Sequence, residues 1–597
     1  MKKRVADIII DTLADNGITD AFCVVGGGSM YLNNALGINK RIKTYFNHHE
    51  QACAMAAEGY AKYTQNKPAL VCVTSGPGGT NTLTGIMGAY QDSVPIIVIS
   101  GQVRYDTTVA QSGLNLRRRG EQEFDIINSI QNMTKYSKMV TDPLSIKQEV
   151  QKAYDIAMSG RRGPVWLDIP LNVQSATVEE DELYPINSKI EYIQASKDDI
   201  DEIITLLKNA KRPCILAGSA IRSAGVHQDF MNFIENIKIP VATAIHQNDI
   251  ISLEHELCCG TSGVLSSRSG NFILQNCDVM LVLGCSLGFK QTGFAQENFA
   301  PQAKIIMVDV NPDEAKKEGL NIYKLIFSDL RTFFNSFKNT QVEAPKEWME
   351  YAQKVTKRFS PFCEVEKEEE NARINASEFW MSFLNSDKAP KTVVVGNSSS
   401  GVGLLQYNTQ HKNQRVLVNF NCGSMGDDLP LALGASVASK NEVYLSTGDG
   451  SFMMNLQELA TVSHNKLPVK MIIFSNNGYG NIVQTCKNYF NGTNVGCTQN
   501  DMSFPNFELL AKAFNIPYKK CSTTKEINDS IDWATEQKGP CFVEVLQKFD
   551  NPPRPRLMSK YNEDGTFEKP KLEDMFPFLD EKEMKELMIK DCEEIKC

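Results

Sequence analysis

Tryptophan and histidine are scarce in this chain of 597 residues, with four and seven copies, and no two histidines stand in an HxxxH spacing. A helix-borne zinc site is therefore not expected. Sixteen cysteines are present, but no CxxC pair occurs and Cys258 and Cys259 are adjacent. They read as buried, reduced thiols rather than a disulfide or metal framework. No apolar run approaches the ~18–20 residues that a membrane helix needs. The opening MKKRVADIIIDTLADNG is interrupted by Asp7, Asp11 and Asp15 and reads as an amphipathic helix, not a signal segment. Cys597 is not in a prenylation position. Positive charge is not in excess: 62 Lys and Arg against 71 Asp and Glu give a net charge of −9, the wrong balance for a dedicated nucleic-acid binder. The expectation is a cytoplasmic protein with neither a membrane nor a nucleic-acid partner.

What is present is ordinary globular composition, 42% hydrophobic and 22% charged, in a chain long enough for about three or four domains. Short apolar or β-branched runs alternate with helical stretches three times over. DAFCVV, RIKTYF, ALVCVTS and PIIVIS fall in residues 1–185; PCILAGS, VMLVLGCS and KIIMVDV in 196–340; TVVVG, EVYLST, KMIIFS and CFVEVLQ in 373–548. Strands separated by helices imply βαβ units, so the expected fold is α/β, with three consecutive parallel-sheet domains and a tail over 549–597. Residues 71–99 and 443–473 echo one another: strand, Ser/Thr, Gly-x-Gly, helix, Pro, strand, with Gly-to-Pro intervals of 19 and 20 residues. Two similar domains flanking a third is the reading.

The chemistry concentrates in GDGSFMMNLQELATVSHNKLPVKMIIFSNNGYG, residues 448–480. Gly448 and Gly450 permit a tight turn after a strand, and the N–H groups of Gly450 and Ser451 open a helix where an anion can sit. Asp449 lies beside that position, and Asn476 and Asn477 close the next strand. A carboxylate, an amide oxygen and a backbone carbonyl converging at strand ends beside a phosphate suit Mg²⁺.

With that motif the chain resembles the thiamine-diphosphate-dependent enzymes, on their acetolactate synthase (acetohydroxyacid synthase) large-subunit branch, from about residue 4 to 548. The resemblance implies thiamine diphosphate and Mg²⁺ as cofactors. It makes the three domains pyrimidine-binding, central and diphosphate-binding. It also implies Asp449, Asn477 and the Tyr479 carbonyl as metal ligands. HHEQACAMAAEGYA, 48–61, looks like the family's glutamate helix. Glu50 would hydrogen-bond N1′ of the aminopyrimidine and share a proton with it, from a desolvated position with a raised pKa. NCGSMGDDLPLALGAS, 421–436, is similar to the segment in which Met425 bends the cofactor and the Gly423 carbonyl accepts from its 4′-amino group. Asn397 and Ser398 stand where further diphosphate contacts are made. Gly27 in VVGGGSM and Gln122 in GEQEFD would approach substrate. The TSGPGGTN loop, 74–81, is taken as structural.

The departures cluster around the acceptor. Thr485 stands where the synthases carry a tryptophan, Leu171 where they carry a lysine, and Glu121 where they carry an aromatic residue. Arg161 matches a flavin contact, but GCSLGFKQTG, 284–293, lacks the RFDDR-like run, so FAD is left open. The function read from the resemblance is decarboxylation of a 2-oxo acid, pyruvate in the simplest case. Carboligation of the two-carbon unit to a second carbonyl compound follows, in a homodimer or homotetramer. The alternatives are a keto-sugar carboligase, a simple 2-oxo acid decarboxylase and a catalytically dead scaffold.

Overall fold

The computed structural model describes residues 1–65, 67–365, 367–386, 388, 391–549, 553–561, 567–568 and 570–589. It contains three six-stranded parallel sheets. In spatial order the first runs Lys43–Phe46, Asp20–Cys23, Leu70–Val73, Ile97–Gln102, Val165–Pro170 and Tyr136–Met139. The third runs Arg415–Val418, Thr392–Val395, Val443–Gly448, Val469–Ser475, Cys541–Leu546 and Tyr518–Cys521. Numbered along the chain within each domain, the two orders are the same. The echoing pairs, Leu70–Val73 with Ile97–Gln102 and Val443–Gly448 with Val469–Ser475, occupy equivalent central places. Central parallel strands are covered on both faces, and these are buried almost end to end, which is why they read as unbroken Val/Ile/Leu runs.

The middle sheet runs Cys258–Thr261, Val241–Thr243, Pro213–Ala217, Val279–Leu283, Lys304–Asp309 and Ile322–Phe327. Its chain order reverses between Pro213–Ala217 and Val279–Leu283, where Gly218 and Gly284 press together. A crevice at such a reversal is the usual ligand position of an open α/β sheet.

The outer domains meet through two small-residue helices, Glu50–Thr64 and Asp428–Ser439. A Cβ at Gly59 would lie 2.1 Å from the Leu431 carbonyl oxygen, and one at Gly434 1.8 Å from that of Ala56. Glycine inside a helix costs about 1 kcal/mol against alanine; here it lets two helices approach backbone to backbone. Apolar side chains of both domains then form one buried cluster, including Phe22, Ile86, Trp166, Leu429, Leu433 and Phe452. Gly434→Ala is expected to force the helices apart at a cost of about 1–3 kcal/mol or more. Gly37→Ala, which meets open space, is the control. Thermal unfolding of the two variants checks the difference.

The tail docks on the central domain. Leu557 N donates to Val264 O, Asn271 Nδ2 to Leu572 O, and Arg268 to the carbonyls of Met575 and Pro577. Leu572 and Met575 are buried there, and Leu587 packs with Phe272 and Phe359.

Candidate active site

In the first sheet, four neighbouring strands deliver four loops to one edge, at their carboxyl ends. Asp20–Cys23 leads to Gly27, Lys43–Phe46 to Glu50, Leu70–Val73 to the 74–81 loop, and Ile97–Gln102 to the segment carrying Gln122. Glu50 is the first residue of its helix, which His49 caps by accepting from Gln51 N. Asn81 Nδ2 donates to Glu50 Oε2 at 2.9 Å. The glycine loop thus holds the glutamate, a role beyond the structural one expected of it. A Cβ at Gly26 or Gly28 would collide with Thr74 or Ser75, whereas one at Gly27 would meet nothing within 4 Å. Gly27 therefore faces open space between two glycines fixed by packing. Gln122 has φ +58°, and its carbonyl lies where a Gly76 side chain would be. The Glu123 carboxylate accepts from the N–H groups of Val109, Arg119 and Gly120, which pins that segment.

The third sheet repeats the arrangement. Its four neighbouring strands deliver Gly423 and Met425, Asn397 and Ser398, Asp449 to Ser451, and Asn477 with Tyr479 to one edge. Asp449 is buried and begins a four-residue helix. Its Oδ2 accepts from Asn476 N (2.9 Å) and Asn477 N (2.6 Å), and its Oδ1 from Gly450 N (2.8 Å). Burial pushes its pKa up to about 6 although these N–H groups favour the anion. Asn477 takes φ +59°, a left-handed conformation that asparagine tolerates.

Several expected roles look different in place. The Gly450 N–H is taken by Asp449, so it is not free for a phosphate. Ser451 Oγ accepts from Gly426 N and so braces the Met425 segment. Asn397 Nδ2 donates to the Gly423 carbonyl, linking two residues expected to act separately. Ser398 lies against Gly448, where a Cβ would be 3.2 Å away, and its Oγ meets Ser400 Oγ. The Tyr479 carbonyl accepts from Ile482 N and Val483 N as the helix cap, while its ring lies over Gly450, where a Cβ would be 2.1 Å from it. Thr485 is exposed, with Oγ1 bonded to Asn481 O.

The two acids after Met425 acquire distinct places. Asp428 is buried and accepts from Thr447 Oγ1 and Leu429 N, tying the Met425 helix to the strand before Asp449. Asp427 is buried with neither carboxylate oxygen hydrogen-bonded, and burial drives its pKa well above the usual range.

Within one chain the two edges share a border. Asn455 Nδ2 bonds Gly426 O (2.6 Å) and Gln51 Oε1 (3.1 Å), and Glu458 accepts from Asn47 Nδ2 and His48 N. Nothing in the sequence pattern marked Asn455 or Glu458, since both links span some 400 residues. Glu50 itself is only partly buried; the single chain does not supply the desolvation expected for it.

Comparison with known proteins identifies the setting. Three family models match in order: thiamine pyrophosphate enzyme, N-terminal TPP binding domain, over 3–129; its central domain over 200–334; and its C-terminal TPP binding domain over 395–545. The chain belongs to the thiamine pyrophosphate enzyme family. The Glu50 edge falls in the first TPP-binding domain and the Asp449 edge in the second. Among relatives, the chain is 29% identical over 558 residues to a probable acetolactate synthase large subunit of Methanocaldococcus jannaschii, covering 91% of each chain. It is 29% identical over 549 residues to the acetolactate synthase large subunit of Lactococcus lactis, covering 91% of this chain and 92% of that one. Against acetolactate synthase 1, chloroplastic, of Nicotiana tabacum it is 28% identical over 571 residues, 91% and 82% of the two chains. No helix among the described residues is long and apolar enough to cross a membrane.

Proposed function

We propose that this thiamine-diphosphate-dependent enzyme decarboxylates a 2-oxo acid, pyruvate in the simplest case, and joins the two-carbon unit to a second carbonyl compound, as the acetolactate synthases are named for doing. The observation that carries the reading is the pair of matching sheet edges, one with a glutamate beginning a helix and one with a buried aspartate beside an asparagine-bearing turn. When bound, thiamine diphosphate supplies a nucleophilic carbon and an electron sink for the carboxylate's departure.

The residues divide the remaining work. Glu50, held by Asn81, would exchange a proton with the pyrimidine ring of the bound cofactor. Met425 would support the cofactor, and the Gly423 carbonyl, steadied by Asn397, would accept from its amino group. Gly27 and Gln122 border the substrate space, where Thr485 leaves more room than the family's tryptophan. The third-sheet edge fits Mg²⁺. Asp449 is a buried carboxylate whose partners are N–H groups rather than a cation, and Asn477 adds a hard amide oxygen. Tyr479 is the weakest of the three proposed ligands because its carbonyl already caps a helix. Among the described residues no group of three His, Cys, Asp or Glu offers a competing metal site.

A second copy of the chain completes the site. Exposed apolar side chains gather on both edges: Val25, Phe46, Leu116 and Phe124 on the first, Met454, Ile482, Phe490 and Val495 on the third. Patches of this kind mark interaction surfaces. A partner seated there would remove the solvent that still reaches Glu50. A homodimer or dimer of dimers follows.

The crevice by Gly218 and Gly284 is where FAD would lie; it opens into adjoining cavities that share Asp92, Ser219 and Asn421. His246 and Lys290 pack on Phe420 within the larger one, and Arg161 is engaged by Glu314 and Ser93.

The test is incubation of purified enzyme with pyruvate, Mg²⁺ and thiamine diphosphate. Acetolactate or acetoin is expected, from protein without flavin absorbance. Acetaldehyde alone would favour the simple decarboxylase, and no turnover with any 2-oxo acid would refute the reading.

A further inference from the structure

Three consecutive arginines, Arg117, Arg118 and Arg119, stand out in a chain whose acidic residues outnumber its basic ones. Their segment lies across the Glu50 edge. Gly120 packs on Val103, Gln102 Nε2 donates to Phe124 O, and the Gln122 carbonyl presses against Gly76, at the head of the loop whose Asn81 holds Glu50. The segment is fixed in that place, because Glu123 gathers the N–H groups of residues 109, 119 and 120. Arg119 donates to Asp106 O. Arg104, nearby, is paired with Asp106. Arg117 and Arg118 are exposed and have no hydrogen bond or ion pair among the described residues. Glu121, in the same segment, and Asp106, against Arg119, are exposed acids nearby.

Adjacent like charges repel, and a solvated pair of guanidinium groups contributes nothing to this fold's packing. What the arrangement does provide is two planar donor forks next to a pinned backbone on the Glu50 edge, where a local field concentrates anions. A single carboxylate, as on pyruvate, needs one such fork; two adjacent ones match the several oxygens of a phosphate.

We propose that Arg117 and Arg118 bind a phosphoryl group on the acceptor, so that a phosphorylated carbonyl compound is accepted in preference to a second small 2-oxo acid. This rests on the carboligase reading above and names the substrate class for it. The phosphoryl group can come from a sugar monophosphate or a nucleoside diphosphate sugar.

The experiment titrates holoenzyme, saturated with thiamine diphosphate and excess Mg²⁺, with two charged probes in a calorimeter. Dihydroxyacetone phosphate represents the monophosphate and uridine diphosphate the nucleotide. Dihydroxyacetone and uridine are the uncharged controls. A charged probe is expected to bind while its control does not. The double variant R117A/R118A should weaken that binding by about tenfold or more, since hydrogen bonds between charged groups are each worth ~1.5–3 kcal/mol. R117K/R118K should retain most of it as point charge. Cofactor content, read by native mass spectrometry after each titration, shows that the variants are assembled and that the probe has not displaced thiamine diphosphate. Binding of the monophosphate alone identifies a sugar phosphate, and tighter binding of uridine diphosphate a nucleotide sugar. Absence of heat from either probe at millimolar concentration, or equal affinity in wild type and R117A/R118A, overturns the proposal. Failure of wild type to turn over pyruvate or any other 2-oxo acid overturns the carboligase reading instead, and binding is measured independently of turnover.

Discussion

Replacing Glu50 by Gln is expected to lower turnover with pyruvate by about 10²–10⁴-fold, the range in which a positioned acid or base contributes, while the protein stays folded and retains its cofactor. The reason lies in what the substitution keeps. Glutamine has the same length, and its carbonyl can still accept from Asn81 as Glu50 Oε2 does. The helix start is likewise set by His49 and not by residue 50. Only the exchangeable proton is lost. Steady-state rates on purified variant and wild type, with native mass spectrometry for bound cofactor, check both halves. Unchanged turnover would remove Glu50 from catalysis. Loss of folding or of cofactor would instead make it a structural residue.

The second large effect is expected at Asp449. Its two carboxylate oxygens organise the turn by accepting from Gly450, Asn476 and Asn477, and the proposed metal takes the remaining lone pairs. Asp449→Asn keeps one acceptor oxygen but turns an amide NH₂ toward backbone N–H donors. That leaves buried groups unpaired at roughly 1–3 kcal/mol each and removes the charge that attracts Mg²⁺. Metal affinity should fall by at least about the 10–100-fold typical of a supporting residue, and with it retention of thiamine diphosphate through gel filtration. Chelation of the wild type should release the cofactor, and added Mg²⁺ should restore it. Wild-type retention by the variant, or by chelated protein, would mean that the cofactor is held without the metal.

The difference between these two sites also explains how much of each was readable beforehand. The GDG and NN motifs sit where a strand ends and a helix begins, so glycine permissiveness, a carboxylate and two amides appear within some 30 residues. The strands that place them are central and buried on both faces, which makes them apolar runs. Edge strands were harder to see. Tyr136–Met139, Arg415–Val418 and Tyr518–Cys521 are short and half-exposed, and their mixed sequences resemble loops.

The α/β class, the echo between the outer domains and the residues at the strand ends are legible along the chain, because alternation and turn chemistry are local properties. What those residues touch emerges from the folded chain. It gave Asn81 to Glu50, Asn397 to Gly423 and Ser451 to Gly426. It buried Asp427 and Asp428 behind the Met425 segment, and it seated Leu557 and Leu572 of the tail on the central domain. The tail contact joins residues 301 positions apart, and glycines at 59 and 434 let two helices of the outer domains close to backbone distance. A pattern read along the chain carries no record of such an approach.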